Sequence, residues 1–593
     1  MLFFVSLGAQ RPNEGDCLKM LSVYLKKYLK ECILGPLFKL LEALFELFVP
    51  LVVASVVDRG IVAGDPGHVT RMCLLLVALA LIGLCCSITA QYFAARAAIG
   101  CSTGLRHALL EHIQQLSHKD LDRVGTSTLI TRMTGDINQI QSGVNLGLRL
   151  LLRSPFIVFG SMIMAFTIDS HIAMIFVIVI AVLLVIVFGI MLLSMPMYKR
   201  VQGHLDGITS VTRENLTGVR VIRAFCLEDA QNGRFHARNA ELTGAQVSVG
   251  RLSALLNPLT YVVINLALIL LIRGGALRVD AGILTQGQVI ALYNYMGQIL
   301  VELVKMANLI ISLTKAAACG SRVSAILSMP CSQQDGALEP AAGHGAITFR
   351  DVSLNYQDSG DAALEHISFD IRPGQTVGII GGTGSGKSSL VNLIPRFYDA
   401  TAGEILVDGV NVNDYKMENL RSRVGMVPQK AVLFKGTVRG NLLWGNPDAT
   451  EADLAEALET AQAAGIIADK PLGLDEPVEQ DGKNFSGGQR QRLTIARALV
   501  RRPEILILDD SASALDFATD ASLRQALRRA RKDMTTVIVS QRTSSVRFAD
   551  QILVLDDGEL VGVGTHDELL ATCPVYKEIY DSQFGGEEVE NHG

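Results

Sequence analysis

A glycine-rich segment in the second half of the sequence has the residue types and spacing of a phosphate-binding loop. The strand-like residues TVGII lead into GGTGSGKS, in which Gly381, Gly386, Lys387 and Ser388 fit the pattern G-x-x-x-x-G-K-[ST]. In such a loop the backbone N–H groups and the start of the next helix surround the phosphates, the lysine reaches the β- and γ-phosphates, and the hydroxyl binds Mg²⁺. The segment therefore predicts a nucleotide site.

A second strand-like run ends in two acidic residues. The residues EILILDD lie about 120 positions further along the chain and end in Asp509 and Asp510. An acid at the end of such a strand is placed to bind Mg²⁺ and its water. We therefore assign Asp509 to the metal and expect Asp510 to face the attacking water.

Between these two motifs the sequence contains a second helix start that could hold a phosphate. The residues NFSGGQRQR place Ser486 and two glycines directly before a helical pattern that runs to Leu499. The N-terminus of a helix binds anions through its free N–H groups and its dipole. A single nucleotide site needs only one such helix start for its γ-phosphate, so the second one needs an explanation.

The elements that must position these residues occupy only half of a long and unusually apolar chain. Of the 593 residues, 49% are hydrophobic and 19% are charged, and the mean hydropathy is +0.34. This composition excludes a disordered protein and indicates that part of the chain faces lipid. The 53 basic and 58 acidic residues give a net charge of −5, which argues against a nucleic-acid partner. The 10 cysteines are scattered, and we interpret them as small buried residues rather than metal ligands or disulfides.

Six apolar runs in the first half are long enough to cross a bilayer, since about 20 residues at a rise of about 1.5 Å cover about 30 Å. They lie near Ile33–Val57, Met72–Ile99, Arg149–Ile168, His171–Leu193, Leu252–Leu277 and Ile283–Ser312. The second half instead alternates short β-branched strands with amphipathic helices, as in a soluble α/β domain. We predict a tail at 1–17 that need not be ordered, an all-α six-helix transmembrane domain at 18–315, a linker at 316–343 and an α/β P-loop ATPase domain at 344–593.

The distribution of basic residues predicts the orientation of the spans. The long polar segments after the second and fourth spans are rich in Lys and Arg, whereas the turn at 167–171 contains Asp169 and no basic residue. By the positive-inside rule, both termini and the soluble half are expected on the cytoplasmic side of the cell membrane. The polar segments have a helical pattern, so the spans should continue out of the bilayer as helices. Before the first span, Tyr24, Tyr28 and neighbouring lysines predict a helix at the membrane interface, with an ordinary solvated helix as the alternative.

Taken together, the phosphate loop, FSGGQ, EILILDD and the following SALD (Ser513–Asp516) resemble the nucleotide-binding domain of an ABC transporter. With its six preceding spans, the chain from about Leu18 to Phe584 resembles a half-transporter of the exporter type. The resemblance implies ATP and Mg²⁺ as cofactors, a helical subdomain in the ATPase half, and a second half-transporter as partner. In such a dimer each ATP lies between the phosphate loop of one subunit and the SGGQ of the other, which explains the two helix starts.

The resemblance also assigns roles to individual residues. Tyr356 matches the aromatic residue that stacks on adenine, with a core aromatic residue as the alternative. Gln429 matches a glutamine that contacts Mg²⁺, with a polar loop residue as the alternative. The segment Glu214–Asp229 resembles one whose short helix docks on the partner's ATPase domain. The residues expected to bind the nucleotide are Tyr356, Gly381, Gly382, Thr383, Gly384, Ser385, Gly386, Lys387, Ser388, Ser389, Gln429 and Asp509, and, towards the partner's nucleotide, Ser486, Gly487, Gly488, Gln489 and Asp516; the expected Mg²⁺ ligands are Ser388, Gln429 and Asp509.

Two positions depart from the family's pattern. The family's catalytic glutamate after the metal acid is here Asp510, and its switch histidine is here Gln541 in VIVSQR. A carboxylate one methylene shorter lies about 1.5 Å further from the water that it orients, and such a displacement can cost on the order of 10²-fold in rate. Glutamine can hydrogen-bond a γ-phosphate but cannot carry the charge of an imidazolium. We therefore predict that this chain's own site binds ATP and hydrolyses it slowly, as in the degenerate-site subunit of heterodimeric bacterial multidrug ABC exporters, and we favour a heterodimer over a slow homodimer.

The apolar half contains acidic residues that could face a cargo. Glu42 and Glu46 lie four residues apart on one face of the first span, and acids within a span are functional candidates. They could line a cavity for a cationic substrate; the alternatives are a position outside the bilayer or pairing with Lys39. Glu302 and Lys305 resemble a pair that neutralises itself. By resemblance, we expect ATP-driven export of amphiphilic, drug-like or lipid molecules, with peptide export or a regulatory, gating subunit as alternatives.

Overall fold

The computed structural model describes residues 14–340, 343–356, 362–511, 513–530 and 533–584. The chain divides into two compact units, one formed by Met1–Gln115 and Val124–Pro330 and the other by Leu116–Arg123 and Cys331–Gly593. Most of the tail predicted at 1–17 lies outside the described residues, and its last four residues already belong to the first helix.

The described part of the chain up to residue 327 is helical. In chain order the α-helices are α1 (Glu14–Lys26), α2 (Leu29–Ser55), α3 (Pro66–Gln115), α4 (His118–Val124), α5 (Thr126–Thr131), α6 (Ile137–Leu150), α7 (Arg153–Ile168), α8 (Ser170–Thr217), α9 (Val219–Ala224), α10 (Glu228–Ala254), α11 (Leu256–Asp280) and α12 (Gln286–Leu327), with π-helical turns at Val56–Ile61 and Arg132–Asp136. All belong to the first unit except α4, most of which belongs to the second.

Six helical stretches among the described residues are long and apolar enough to cross a membrane. They are Leu29–Ile61, Pro66–Gln115, Thr126–Ile168, Ser170–Thr217, Glu228–Asp280 and Gln286–Leu327. Five of them contain one of the predicted spans, and the sixth begins at Gln286, three residues after the predicted start of the last span. Most are far longer than the roughly 20 residues that a bilayer requires. The prediction of six spans that continue as polar helices is therefore confirmed.

The ends of these helices follow from capping residues. Asp169 lies between α7 and α8, and one of its carboxylate oxygens accepts hydrogen bonds from the N–H groups of His171 and Ile172, each at 2.9 Å. Thr285 and Gln288 form a reciprocal capping box at the start of α12. A side chain that accepts from the free N–H groups of a first turn stabilises a helix start by about 1 kcal/mol. The acid in the predicted turn at 167–171 thus marks the start of the fourth span.

The sixth span extends beyond the domain boundary predicted at residue 315. The helix α12 continues to Leu327, and the division between the two units falls between Pro330 and Cys331. The residues between 316 and 327 are mostly small or apolar, and buried positions recur along them at helical spacing, so nothing stops the helix before Pro330. The linker is therefore shorter than predicted. Part of it belongs to the second unit, where Leu338 pairs with Tyr415.

The predicted helix before the first span is present as α1. The ring of Tyr24 lies against Gly104 of α3 and the ring of Tyr28 against Gly100. A Cβ atom added at Gly100 would lie 2.2 Å from the Tyr28 ring, so a larger residue there would displace the ring. Both tyrosines thus pack on the second span.

The second unit combines sheets and helices. In chain order its further elements are β1 (Ile347–Leu354), β2 (Leu364–Ile371), β3 (Thr376–Gly381), α13 (Lys387–Leu393), β4 (Ala402–Val407), β5 (Val410–Asn411), α14 (Met417–Arg423), β6 (Val424–Val427), β7 (Gly436–Thr437), α15 (Val438–Leu443), α16 (Glu451–Thr460), α17 (Ala464–Ala468), β8 (Pro477–Val478), α18 (Gly487–Val500), β9 (Ile505–Asp509), α19 (Phe517–Ala530), β10 (Thr535–Val539), α20 (Thr543–Val546), β11 (Gln551–Asp556), β12 (Glu559–Gly564), α21 (His566–Thr572) and α22 (Pro574–Phe584). This alternation confirms the predicted α/β domain.

The order of strands in the main sheet determines where the nucleotide motifs meet. The six-stranded sheet has the order β12-β11-β3-β10-β9-β6, and all neighbours are parallel except β11 and β12. The strands β9 and β10 are buried throughout, as expected for a parallel sheet covered on both faces. Because β3 and β9 both flank β10, the phosphate loop after Gly381 and the acid Asp509 lie at the same carboxyl edge. Ligands of open α/β sheets bind at this edge.

Candidate nucleotide site

The phosphate loop has backbone positions that only glycine can occupy. It connects β3 to α13, and Gly386 directly before the helix has a φ of 90°. A Cβ atom there would lie 2.6 Å from the carbonyl oxygen of Ala363, and one at Gly381 would lie 2.1 Å from that of Leu555. Gly384 also has a positive φ, of 87°, with no other atom within 4 Å of an added Cβ. The loop is therefore packed at both ends and open in its middle.

The ammonium of Lys387 lies within this loop. It donates hydrogen bonds to the carbonyl oxygen of Gly381 at 3.0 Å and to the hydroxyl of Ser385 at 3.2 Å, and also to the carbonyl oxygen of Gly382. Burial lowers the pKa of Lys387, and the nearby carboxylates of Asp510 and Asp509 oppose that shift. The lysine predicted to reach the β- and γ-phosphates thus sits against the loop that would surround them.

Ser388 and Asp509 meet as the sequence motifs predict. The Ser388 hydroxyl donates to a carboxylate oxygen of Asp509 at 3.0 Å. Burial raises the pKa of Asp509, and the hydrogen bond from Ser388 acts in the opposite direction. Two neighbouring oxygen ligands of an octahedral Mg²⁺ at about 2.0–2.1 Å are themselves about 2.9 Å apart. The spacing of these two oxygens therefore fits a shared Mg²⁺, which would position the phosphates.

Asp510 contacts Gln429 across the edge of the sheet. The side-chain amide of Gln429 lies 3.3 Å from a carboxylate oxygen of Asp510. The Asp510 backbone has a φ of 44°, and its N–H donates to the carbonyl oxygen of Val539 at 3.0 Å. The residue expected to contact Mg²⁺ and the residue expected to face the attacking water thus lie side by side, and the backbone of Asp510 is hydrogen-bonded to β10.

Tyr356, the predicted adenine aromatic, lies beside the phosphate helix. Its hydroxyl donates to the hydroxyl of Ser389 at 3.1 Å, and its ring packs edge-on against Tyr398 with ring centroids 5.2 Å apart. The hydroxyl of Tyr398 donates to a carboxylate oxygen of Asp122 at 2.6 Å, and burial followed by the Asp122 contact raises the pKa of Tyr398. One chain of contacts therefore connects the predicted adenine residue to the segment between the second and third spans.

A buried carboxylate holds that same segment in the second unit. Asp120 accepts hydrogen bonds from the N–H groups and hydroxyls of both Ser117 and Ser332, at 2.7 to 3.3 Å. His118 stacks on Phe397 with ring centroids 4.6 Å apart. These residues were missed from the sequence. The only local signal was the run of polar residues between two spans, which does not indicate their distant partners.

The SGGQ segment begins α18 as predicted. The Ser486 hydroxyl accepts from the N–H of Gln489 at 3.3 Å, and the Gln489 side chain accepts from the N–H of Ser486 at 2.9 Å. Asp516 begins α19 in a similar way, accepting from the N–H and the hydroxyl of Thr519. Among the described residues, no hydrogen bond joins Ser486–Gln489 to the phosphate loop of the same chain.

The acids proposed for a cargo cavity in the first unit have basic partners. Glu42 pairs with Lys39 at 2.6 Å, and Glu46 pairs with Arg153 at 2.6 Å. Arg153 also contacts Glu302 at 2.6 Å, and Glu302 contacts Lys305 at 2.9 Å. The alternative, pairing with Lys39, is therefore observed for Glu42. The expected Glu302–Lys305 pair is present, but it belongs to a larger network that was not foreseen.

Comparison with known proteins places both halves of the chain. Residues 32–303 match the family model of the ABC transporter transmembrane region, and residues 364–513 match the model named ABC transporter. The chain belongs to the ABC transporter family. An uncharacterized ABC transporter ATP-binding protein of Mycobacterium tuberculosis is 38% identical to this half-transporter over 572 residues, which cover 95% of this chain and 98% of that protein. The ATP-dependent lipid A-core flippase of Syntrophus aciditrophicus is 33% identical over 489 residues, covering 82% of this chain and 81% of the flippase.

A solved structure shows the same fold. The structure of a bacterial Atm1-family ABC exporter with ATP bound superimposes with a TM-score of 0.78 at 23% identity, over 95% of this chain and 99% of that chain. This ABC half-transporter thus has the exporter fold, with the transmembrane and ATPase domains fused in one multi-pass membrane protein. Its ABC ATPase domain implies ATP hydrolysis coupled to transport, and exporters of this family work as dimers.

Proposed function

We propose that this half-transporter exports amphiphilic, drug-like or lipid molecules from the cytoplasm as one half of a heterodimer, and that its own ATP site is degenerate. The observation that carries the proposal is the presence of Asp510 and Gln541 at the two positions that should act on the γ-phosphate. The well-formed loop around Lys387 and the Ser388–Asp509 contact support retained binding of ATP and Mg²⁺ at the same site.

The geometry of Asp510 supports slow hydrolysis. Its N–H donates a hydrogen bond to the carbonyl oxygen of Val539, which restrains the main chain at a position where the shorter side chain ends one methylene before that of a glutamate. Its carboxylate also lies within reach of the Gln429 amide, which competes with a water for the same oxygen. A catalytic carboxylate must lie within about 2.6–3.2 Å of the oxygen of the water that it activates. A side chain that is one methylene too short therefore slows hydrolysis.

Gln541 supports the same conclusion independently. It follows β10 and Ser540 at an exposed position on the edge of the sheet where the phosphate loop lies. Its amide can donate one hydrogen bond to a γ-phosphate, but it brings no positive charge to offset the negative charge that develops there. The site then holds ATP and stabilises the closed dimer without resetting it.

The SGGQ segment supports a competent site on the partner's nucleotide. Gly487 and Gly488 lie in the first turn of α18, where backbone N–H groups have no acceptor within the helix. A γ-phosphate presented by the phosphate loop of a second half-transporter would supply that acceptor. If that partner has Glu and His at the two positions in question, the pair contains one fast and one slow site.

The short helix α9 supports contact with a partner. It lies within the predicted docking segment Glu214–Asp229. Leu216, Val221 and Phe225 in and beside it expose 72%, 58% and 71% of their surfaces. Three large apolar side chains so close together on a polar segment favour burial against another protein surface. We propose that the ATPase domain of the second half-transporter covers them.

The charges in the first unit support an amphiphilic or lipid cargo over a cationic one. Glu42 and Glu46 are both neutralised by basic residues, so they are poor candidates for binding a free cation. The lipid specificity in the name of the Syntrophus relative agrees with this choice. Peptide export and a gating role without transport are the alternatives, and ATP-dependent uptake of a fluorescent lipid into inverted vesicles would separate pump from gate.

The decisive experiment measures ATP hydrolysis by the full-length chain purified alone in nanodiscs. We expect tight ATP binding that Lys387→Ala abolishes, together with slow turnover that Asp510→Asn barely changes. Vigorous hydrolysis that Asp510→Asn abolishes would refute a degenerate site. Adding the partner subunit should restore fast turnover, and that turnover should depend on the partner's own catalytic carboxylate and not on Asp510.

A further inference from the structure

The last helix that the structure describes contacts the loop that carries Gln541. From α22, the side-chain oxygen of Gln583 accepts a hydrogen bond from the N–H of Thr543 at 2.9 Å and another from its hydroxyl at 3.0 Å. The side-chain NH₂ of Gln583 donates to the carbonyl oxygen of Gln541 at 2.8 Å. A glutamine amide has one acceptor end and one donor end, and both are used here. The amide therefore bridges the two ends of the loop 541–543.

The helix α22 is itself firmly attached. The ring of Tyr576 is fully buried, and its hydroxyl lies 2.7 Å from Nδ1 of His566. The helix packs against β3, β11 and α20. Since β3 leads directly into the phosphate loop, one rigid element contacts both the strand before that loop and the loop of Gln541. The side chain of Gln583 thus extends from a helix that is fixed in the domain.

The opposite side of the loop contacts the segment that precedes α19. The guanidinium of Arg542 donates to the carbonyl oxygens of Ser513 and Leu515 at 3.3 and 3.4 Å. It also lies over the ring of Phe517 at 5.2 Å from its centroid. Asp516, one of the residues expected to face the partner's nucleotide, lies in this same segment. The loop 541–543 is therefore held between α22 and a segment predicted to reach the partner.

We propose that Gln583 is a positioning residue for the nucleotide site and that α22 controls the loop of Gln541 through it. This inference rests on the proposed nucleotide function of the site and names a residue that regulates it. By fixing the carbonyl of Gln541 and both polar groups of Thr543, Gln583 sets where the Gln541 side chain stands relative to the γ-phosphate. Through Arg542, the same restraint reaches residues 513–516 and thus the site completed on the partner.

The first test is hydrogen–deuterium exchange of the nucleotide-free, full-length chain in nanodiscs. Gln583→Ala should speed exchange of the N–H groups at 540–546 by about tenfold or more, because it removes the three hydrogen bonds that hold Gln541 and Thr543. Exchange at 376–393, in β3 and the phosphate loop, should change less than about twofold if the rest of the domain is intact. Ser582→Ala is the matched control, since within the described part of the chain the Ser582 hydroxyl donates only to the carbonyl oxygen of Ile579 in its own helix. Unchanged exchange at 540–546 in Gln583→Ala would overturn the proposal.

The second test separates positioning from a general role in stability. Gln583→Glu keeps an acceptor for Thr543 but places a carboxylate against the carbonyl of Gln541, so it should give an intermediate effect at an unchanged thermal midpoint. In both variants the Kd for ATP should stay within about twofold, whereas ATP should both bind and dissociate several-fold faster, because Lys387 binds the phosphates and the loop only encloses them. Faster exchange without faster ATP release would refute a positioning role. Rapid hydrolysis by the unaltered chain would refute the degenerate site, but the exchange experiment would still test the role of Gln583 independently.

Discussion

The ion network around Arg153 joins three membrane spans, and its loss should destabilise the first unit. Arg153 of α7 contacts Glu46 of α2 and Glu302 of α12, each at 2.6 Å, and Ser154 also donates to Glu302 at 2.8 Å. Arg153 and Glu302 expose only 7% and 2% of their surfaces. Removing Glu302 breaks the more deeply buried of these two ion pairs of Arg153, since the Glu46 side chain is 40% exposed and that of Glu302 only 3%, and breaking a buried pair typically costs about 3–5 kcal/mol. We therefore predict that Glu302→Gln lowers the free energy of unfolding by about that amount.

The assay is reversible unfolding of the full chain in mixed micelles of a mild detergent and SDS. The control is Glu214→Gln, which breaks the exposed pair with Arg234 at 3.2 Å and should cost less than about 1 kcal/mol. Combining Glu302→Leu with Arg153→Leu and Glu46→Gln should recover most of the loss, since it removes Arg153 together with both of its carboxylate partners and leaves Lys305, whose side chain is 44% exposed. If Glu302→Gln costs no more than the control, or if the triple variant is as unstable as Glu302→Gln, then Arg153 and its two carboxylates are not a buried, mutually dependent group.

Three further predictions concern the second unit. Tyr398→Phe removes the hydrogen bond to Asp122, so ATP affinity should change less than about twofold while the amount transported per ATP hydrolysed falls. If ATP affinity and transport fall equally, the hydrogen bond does not act in coupling hydrolysis to transport. Burial raises the pKa of Asp120, but the hydrogen bonds from Ser117 and Ser332 outweigh burial, so the pKa lies below its usual value. Residues 116–123 should therefore stay attached at neutral pH and detach only as the pH falls below about 4. Hydrogen exchange of 116–123 checks this, and Asp120→Asn should loosen the segment already at pH 7. Gly386→Ala should abolish ATP binding in a folded chain, measured by nucleotide titration, because its Cβ would overlap the carbonyl of Ala363.

Local sequence patterns were sufficient to predict the elements of the fold. The apolar runs predicted six spans because a bilayer imposes a minimum length, and the glycines and Lys387 predicted the phosphate loop because the mechanism requires those residue types at that spacing. The meeting of Ser388 and Asp509 was also predictable, because two parallel strands on either side of a third bring their carboxyl ends together. These are constraints that a short stretch of sequence carries by itself.

The features that the sequence did not reveal depend on contacts between distant residues. Arg153 was taken only as part of an apolar run, and its pairing with Glu46 and Glu302 depends on how three helices pack. Likewise, Gln583 lies in an ordinary amphipathic helix, and nothing near it in the sequence indicates Thr543. The end of α12 was placed too early because the apolar run that defines the sixth span stops near Ser312, whereas the small residues after 315 keep a helical spacing up to Leu327.

The most direct test of the degenerate site restores the two residues that the family's pattern requires. In the full-length chain purified alone, Asp510→Glu combined with Gln541→His should convert a slow site into a fast one, because the carboxylate regains its reach and the imidazole can carry charge. Measured as single-turnover hydrolysis of bound ATP, the rate should rise by about 10²-fold, with Asp510→Glu alone giving part of the gain. No increase, or an unaltered chain that already hydrolyses ATP as fast as the double variant, would contradict the claim that this half-transporter holds the degenerate site.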